Sequence, residues 1–269
     1  MRRNVAALAA MAFLVVVSAA VTLAPVFAPS HPMRVDTAAQ LLPPSRAHLV
    51  GTDLLGRDVF SRLLYGGRLT LGVGLLAAAV AALPGLALGL LAGYYGGWAD
   101  SLITRAMDVL LSIPYLLLAL MVVALMGQRL EGVGLGIGLA GMPGTVRVVR
   151  AAVAGVRRRP FVLAARSVGC SETRILLRHI LPNVAGPALV IATLQIGWAI
   201  LNASALTFLG VGAPPGVPEW GAMLHEGRLY LREAPWVAVA SGSLLTLTAL
   251  AVNIVGDGLR DAIDPRLRV

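Results

Sequence analysis

Long runs without a single charge constrain this chain more than any other feature. A helix that crosses a bilayer needs about 20 consecutive apolar residues. Stretches 4–30, 69–99, 109–128, 183–218 and 234–256 each meet that length with no charged side chain. A sixth stretch, 132–155, is rich in glycine and carries Arg147 and Arg150 in its last third. It counts as a span because arginines near a span's end can snorkel to the interface. The composition agrees: 58% of residues are apolar and 13% are charged, where a soluble domain carries about 25% charged residues. The expected fold is therefore an all-α membrane protein with about six transmembrane helices.

The charge pattern orients those spans. All 22 basic residues are arginine, and the formal charge is +9. Such an excess can mark a nucleic-acid binder, but in a membrane chain it marks the cytoplasmic loops. Arg157, Arg158, Arg159, Arg166, Arg174 and Arg178 crowd the segment after the fourth span. Arg2 and Arg3 precede the first span, and Arg260, Arg266 and Arg268 follow the last. The positive-inside rule then puts both termini and the 156–183 loop in the cytoplasm. The first stretch also has the charged start of a signal peptide. Its apolar region runs to Phe27, beyond a signal core of roughly 7–15 residues, so an uncleaved span is expected. The single cysteine, Cys170, leaves no internal disulfide and no thiolate-rich metal site.

The chain divides into residues 1–68, a first span with an external segment, and 69–269, a five-span core. The external segment is rich in proline up to Pro44 and is predicted to end in a short helix over 58–65. Asp53 and Asp58 superficially resemble calcium ligands, but pairing with Arg57 or Arg62 and turn capping suits their setting better. A second external segment, 210–235, reads as a turn-rich loop.

The 156–183 loop reads RRRPFVLAARSVGCSETRILLRHILPN after Val156. Pro160 can open a helix over 161–168, since a missing N–H costs nothing there. Gly169 suits the left-handed position that ends helices. Ser171 can cap a second helix, and Pro182 is expected to stop it. Three readings of this helix–turn–helix stand open: a solvated basic loop, a DNA-binding element, and a short helix that docks on a cytoplasmic motor. Tethering to spans at both ends disfavours DNA.

The loop resembles the signature of binding-protein-dependent ABC importer permeases. In that signature an EAA triplet is followed by a glycine and a terminal leucine–proline. Ala164, Ala165, Gly169 and HILPN (His179–Asn183) match, while Leu163 stands where the glutamate would be. Further segments are similar to the dipeptide/oligopeptide/nickel subfamily: GTDLLGRDVFSRLLYGGR, AGYYGGWAD, LTFLGVG, EWGAML, APW and GDGLRDAIDPRLR. The resemblance implies a type I (MetI-like) permease in a bacterial plasma membrane, forming half of a pore. It implies a second homologous permease subunit, two ABC ATPases and an extracytoplasmic substrate-binding protein as partners, with no nucleic acid. Leu163, Ala164, Ala165, Arg166 and Gly169 become the expected ATPase-coupling residues. The chain has no GxxxxGK[ST] phosphate loop, so ATP is expected to be bound by the partners and no cofactor by this chain. No paired catalytic groups and no metal cluster fall within the spans, so no enzyme is expected. The implied cargo is a di- or oligopeptide. Nickel is the alternative within the family, and a self-contained channel is the alternative outside it.

Polar residues inside spans are often functional. Gln195, Trp198 and Asn202 fall at i, i+3 and i+7, on one face of the fifth span. They either line the cargo path or hydrogen-bond a neighbouring helix as packing groups.

Overall fold

The computed structural model describes residues 5–263. Arg2, Arg3, Arg266 and Arg268, used above to orient the chain, lie outside them. Among the described residues the fold is helical, with no strand beyond an isolated bridge between Thr52 and Asp58. The helices are α1 (Val5–Thr22), α2 (Ala24–Phe27), α3 (Val59–Tyr95), α4 (Gly97–Ser112), α5 (Tyr115–Met126) and α6 (Leu130–Arg157). They continue with α7 (Pro160–Ser167), α8 (Glu172–Arg174), α9 (Leu181–Phe208), α10 (Trp220–Gly227) and α11 (Pro235–Ile263). Five helical segments are long and apolar enough to cross a membrane, and a sixth crossing is made if α4 and α5 count as one broken span.

Three expectations change. The short helix predicted over 58–65 is the start of the 37-residue α3, which runs unbroken through Gly66, Gly67 and Pro84. At 1.5 Å per residue it reaches about 55 Å, well past a hydrocarbon core of about 30 Å. The predicted span 109–128 is broken at Pro114, where α4 and α5 meet at 90°. The segment 210–235 holds α10 as well as turns.

The glycine-rich α6 is the most enclosed of the long helices. Of its most apolar 18 residues 67% are buried, against 17% for α1. Its glycines explain why. Gly134 lies under Leu76, Gly138 under Val80, and Gly136 against Ala119. From the other side, Gly85, Gly89 and Gly93 of α3 meet Thr145, Val149 and Val153 of α6. Both rows repeat every four residues, so two ridges interlock along one seam. Lipid provides no hydrophobic drive between helices, so close approach through small residues carries the association. Arg147 and Arg150 do more than snorkel: each finds a carboxylate on α4, Arg147 with Asp108 at 2.8 Å and Arg150 with Asp100 through both oxygens.

A Cβ on Gly89 would sit 2.7 Å from Val149 Cβ, while one on Gly72 meets nothing within 4 Å. Gly89→Val is therefore expected to destabilise the fold by about 1–3 kcal/mol or more through overpacking. The midpoint of thermal unfolding in detergent should fall for Gly89→Val and stay close to the parent for Gly72→Val.

Candidate functional site

The loop after α6 folds back onto the bundle as a built element. Arg158 ends α6, and Arg159, with extended ψ of 147°, precedes Pro160 at the first position of α7. Val162 and Ala165, three residues apart, turn inward. They join Leu90 and Tyr94 of α3, Val149, Val153 and Val156 of α6, and Ile175, Ile180 and Val184. The opposite side of α7 is uncovered: Leu163 is 52% exposed, and Val168, just after the helix, is 78% exposed. Ala164 and Arg166 are exposed too.

Gly169 has φ of +80°. Its N–H donates to Arg166 O at 3.0 Å, and Cys170 N–H donates to Ala165 O at 3.1 Å. These two bonds form a Schellman ending, which needs the left-handed residue that glycine supplies without strain. Ser171 Oγ then accepts from Arg174 N–H at 3.4 Å and opens α8. The expected stop at Pro182 does not occur. Residues Ile175–Ile180 adopt a π-turn, and the helix continues into α9. In that wider turn Leu181 N–H reaches back to Leu176 O, and Asn183 Nδ2 donates to the carbonyl of His179 at 2.7 Å. The proline therefore sits in a helix already re-registered around it.

Tyr94 ties this element to α3, a link that sequence reading missed. Its hydroxyl donates to the Glu172 carboxylate. Arg166 Nη2 donates to the Tyr94 hydroxyl at 3.3 Å and to Glu172 Oε2 at 3.2 Å. The hydrogen bond with Tyr94, then that with Glu172, holds the Arg166 guanidinium above its ordinary pKa. The three residues are 72 and 78 positions apart along the chain, so only the Tyr-Tyr-Gly-Gly segment hinted at a role.

The far end of the bundle is closed by buried charge. Asp53 accepts from Arg57 Nε at 2.7 Å and from Arg62 Nη1, and its other oxygen accepts the backbone N–H groups of Leu55 and Arg57. Both arginines also reach Glu226 of α10 at 2.8 Å. Arg62 is fully buried. Asp58 caps α3 by accepting from Ser61 N–H at 2.8 Å. These are the pairing and capping roles expected of both aspartates. Glu219, which no sequence argument singled out, is buried at the start of α10. It accepts hydrogen bonds from Thr70 at 2.8 Å, Thr207 at 2.6 Å, Ser204 at 3.3 Å and Ala222 N–H at 2.9 Å. One carboxylate thus joins α3, α9 and α10.

Gln195, Trp198 and Asn202 do share a face of α9, but the structure separates their contacts. Gln195 Nε2 donates to Gly141 O of α6 at 3.0 Å. Trp198 stands beside it, with its ring 5.6 Å from that of Tyr115. Both line a recess of about 350 Å³ with Leu111, Gly144, Ile191 and Leu194. Asn202 is not among that recess's lining residues, and its amide donates to Trp198 O of its own helix at 2.7 Å.

Residues 85–269 match the model of the binding-protein-dependent transport system inner membrane component. The chain belongs to that family. It is a multi-pass inner-membrane permease component of an ABC importer, a kind of subunit that works with ATPase and substrate-binding partners. It is 43% identical over 245 residues to the dipeptide transport system permease protein of Alkalihalophilus pseudofirmus, covering 91% of this chain and 81% of the relative. It is 42% identical to the di/tripeptide transport system permease protein of Pseudomonas aeruginosa, covering 98% and 89%. It is 45% identical to the glutathione transport system permease protein of Pectobacterium atrosepticum, covering 84% and 75%. Among solved structures, a chain of the MetNI methionine ABC transporter shares the fold, with a TM-score of 0.59 and 18% identity over 76% of this permease and 96% of that chain.

Asp53→Ala would leave Glu226 as the one carboxylate shared by the buried Arg57 and Arg62. Removing one partner of a buried ion pair costs about 3–5 kcal/mol. The variant should accumulate poorly in membranes and lose its monodisperse peak on detergent size-exclusion chromatography.

Proposed function

We propose that the chain is one of two homologous permease subunits lining the pore of a peptide importer served by two ATPases, one of which docks on α7, with ATP bound by those partners alone. Both termini and the α7 loop face the cytoplasm, a reading supported by the arginine pattern, and an extracytoplasmic binding protein delivers di- or oligopeptides to the far end. Substrate class rests on the relatives, which are named for dipeptide, di/tripeptide and glutathione transport. Nickel transport and a self-contained channel have no comparable support.

The observation that carries the docking reading is the two-sidedness of α7. Its inner side is held in the core through Val162 and Ala165, its end is fixed by the Gly169 turn, and its outer side shows Leu163 to water. A short helix fixed to the bundle on one side and bare on the other moves with the bundle when a partner pushes it. Leu163, in place of a glutamate, makes the contact apolar in character. Of the coupling set, Leu163, Ala164 and Arg166 then stand exposed for the partner, while Ala165 anchors the helix in the core, Gly169 fixes its end, and Tyr94 and Glu172 position it. Gln195 and Trp198 line the cargo path at their recess, and Asn202 extends that face.

The test is reconstitution of the whole importer in proteoliposomes. Gly169→Val forces a branched residue into the left-handed region at about 1–2 kcal/mol, which corresponds to roughly tenfold in a coupled equilibrium. Dipeptide uptake and binding-protein-stimulated ATP hydrolysis should fall together by about that factor. Full activity in the variant would refute the docking role of this turn. In the same assay unlabelled dipeptide should compete for uptake and nickel should not. Asn202→Leu should lower uptake, and undiminished uptake would remove Asn202 from the path.

A further inference from the structure

A recess of about 340 Å³ opens where α3 and α6 end and α7 begins. Gly93, Ala154, Arg157, Arg158, Leu163 and Arg166 line it. Three arginines and no carboxylate face this space. Arg166 is already bonded to Tyr94 and Glu172. Among the described residues, neither Arg157 nor Arg158 forms an ion pair. Glu172, the acid on this side of α7, is engaged by two donors. Glu172 offsets Arg166 and its field reaches Arg157, so one carboxylate stands against three guanidiniums and the recess keeps a net positive charge.

Its position adds meaning to its charge. Leu163 both rims the recess and stands on the bare side of α7. A partner that covers the apolar Leu163 and Val168 reaches Arg157 and Arg158 without further movement. A guanidinium offers a planar fork that matches a carboxylate through two parallel hydrogen bonds. Charge placed beside an apolar contact sets register and partner choice.

We propose that this recess receives an aspartate or glutamate side chain of the ATPase partner, clasped by Arg157 and Arg158 while Leu163 packs alongside. The inference rests on the docking reading of α7 and adds a specific polar contact to it. The carboxylate enters from the partner, so the anionic half of the contact lies on the ATPase and the cationic half on the permease. The alternative occupant, an anionic phospholipid headgroup, shares the arginine chemistry. Leu163 both lines the recess and stands exposed on α7, so a protein that covers this apolar side chain lies directly against the arginines, and this favours the docked protein.

The chain contains no lysine, which makes the proposal directly testable. Arg157→Lys or Arg158→Lys introduces a single side-chain amine and keeps the positive charge. The complete importer carrying either variant, in lipid nanodiscs, is treated with a carbodiimide, which joins an amine only to a carboxylate in contact with it. A permease–ATPase cross-link, mapped by mass spectrometry to an ATPase aspartate or glutamate, is the expected result. The Arg157→Glu, Arg158→Glu pair should weaken ATPase retention at least tenfold at low salt, and the difference should shrink as salt rises. In a parallel arm, Leu163→Cys in a Cys170→Ser background is bridged to ATPase cysteines with a bis-maleimide. If Leu163→Cys bridges but neither lysine variant does, α7 docks and the recess proposal is wrong. If neither bridges, the docking reading itself falls. Anionic phospholipid held by the parent importer in native mass spectrometry, lost on charge reversal and unaccompanied by an ATPase cross-link, would assign the recess to lipid and overturn the proposal.

Discussion

The seam between α3 and α6 is the contact on which the rest of the molecule depends. Inside a bilayer, apolar side chains gain nothing by leaving lipid for one another, so helices hold together by close fit and polar bonds. Gly85, Gly89 and Gly93 let α6 approach until Thr145, Val149 and Val153 occupy the space their side chains would need. That row does not end at the bilayer. Gly93 is followed by Tyr94, whose hydroxyl reaches Glu172, and Val153 leads one turn later to Val156 and the start of α7. The packing seam and the α7 loop thus form one continuous structure. A rotation of α3 against α6 must displace α7, and a displacement of α7 must strain the seam.

The two ends of the bundle solve opposite problems. At the far end, Arg57 and Arg62 meet Asp53 and Glu226, so buried charges cancel within the chain. Glu219 is satisfied by three hydroxyls and one backbone N–H. Desolvated charge is tolerated only with such pairing, and the result pins the segments before α3 and around α10 to α3 and α9. At the α7 end the chain is left incomplete. Leu163 and Val168 are bare, and among the described residues Arg157 and Arg158 form no ion pair. An end that is chemically closed suits a surface facing transient visitors, and an end with unmet contacts suits one held by a permanent partner.

Much of this was legible in the amino-acid sequence, and the misses have physical causes. Apolar length located the spans because a bilayer imposes a hard minimum. Pro160, Gly169 and Ser171 marked the α7 loop because each has a local backbone role that does not depend on distant residues. Local pattern misled where tertiary packing overrode it. The helix expected over 58–65 and the span expected from 69 are one helix, joined through Gly66 and Gly67, where Pro218 O and the Trp220 ring press against α3. Pro182 suggested a stop, yet a π-turn absorbs it. The candidate site divided along the same line. The α7 residues came from local pattern. Tyr94, Glu172 and Glu219 act across 78 to 149 residues of chain, and no local pattern encodes such pairs. Helical spacing put Gln195, Trp198 and Asn202 on one face correctly, but spacing does not say whether an amide turns to a neighbour, as Gln195 does, or to its own backbone, as Asn202 does.

The central claim is that the side of α7 opposite the core is a cytoplasmic surface covered by an ATPase. Cysteine labelling reads that claim most directly, because Cys170 is the single native cysteine. In a Cys170→Ser background, Val168→Cys places a thiol at a position 78% exposed in the isolated chain. A membrane-impermeant maleimide should fail to label it in intact spheroplasts, should label it in inverted vesicles lacking the ATPases, and should be blocked once the ATPases are bound. Labelling from the outside of intact spheroplasts, or equal labelling of inverted vesicles with and without the ATPases, would contradict the account.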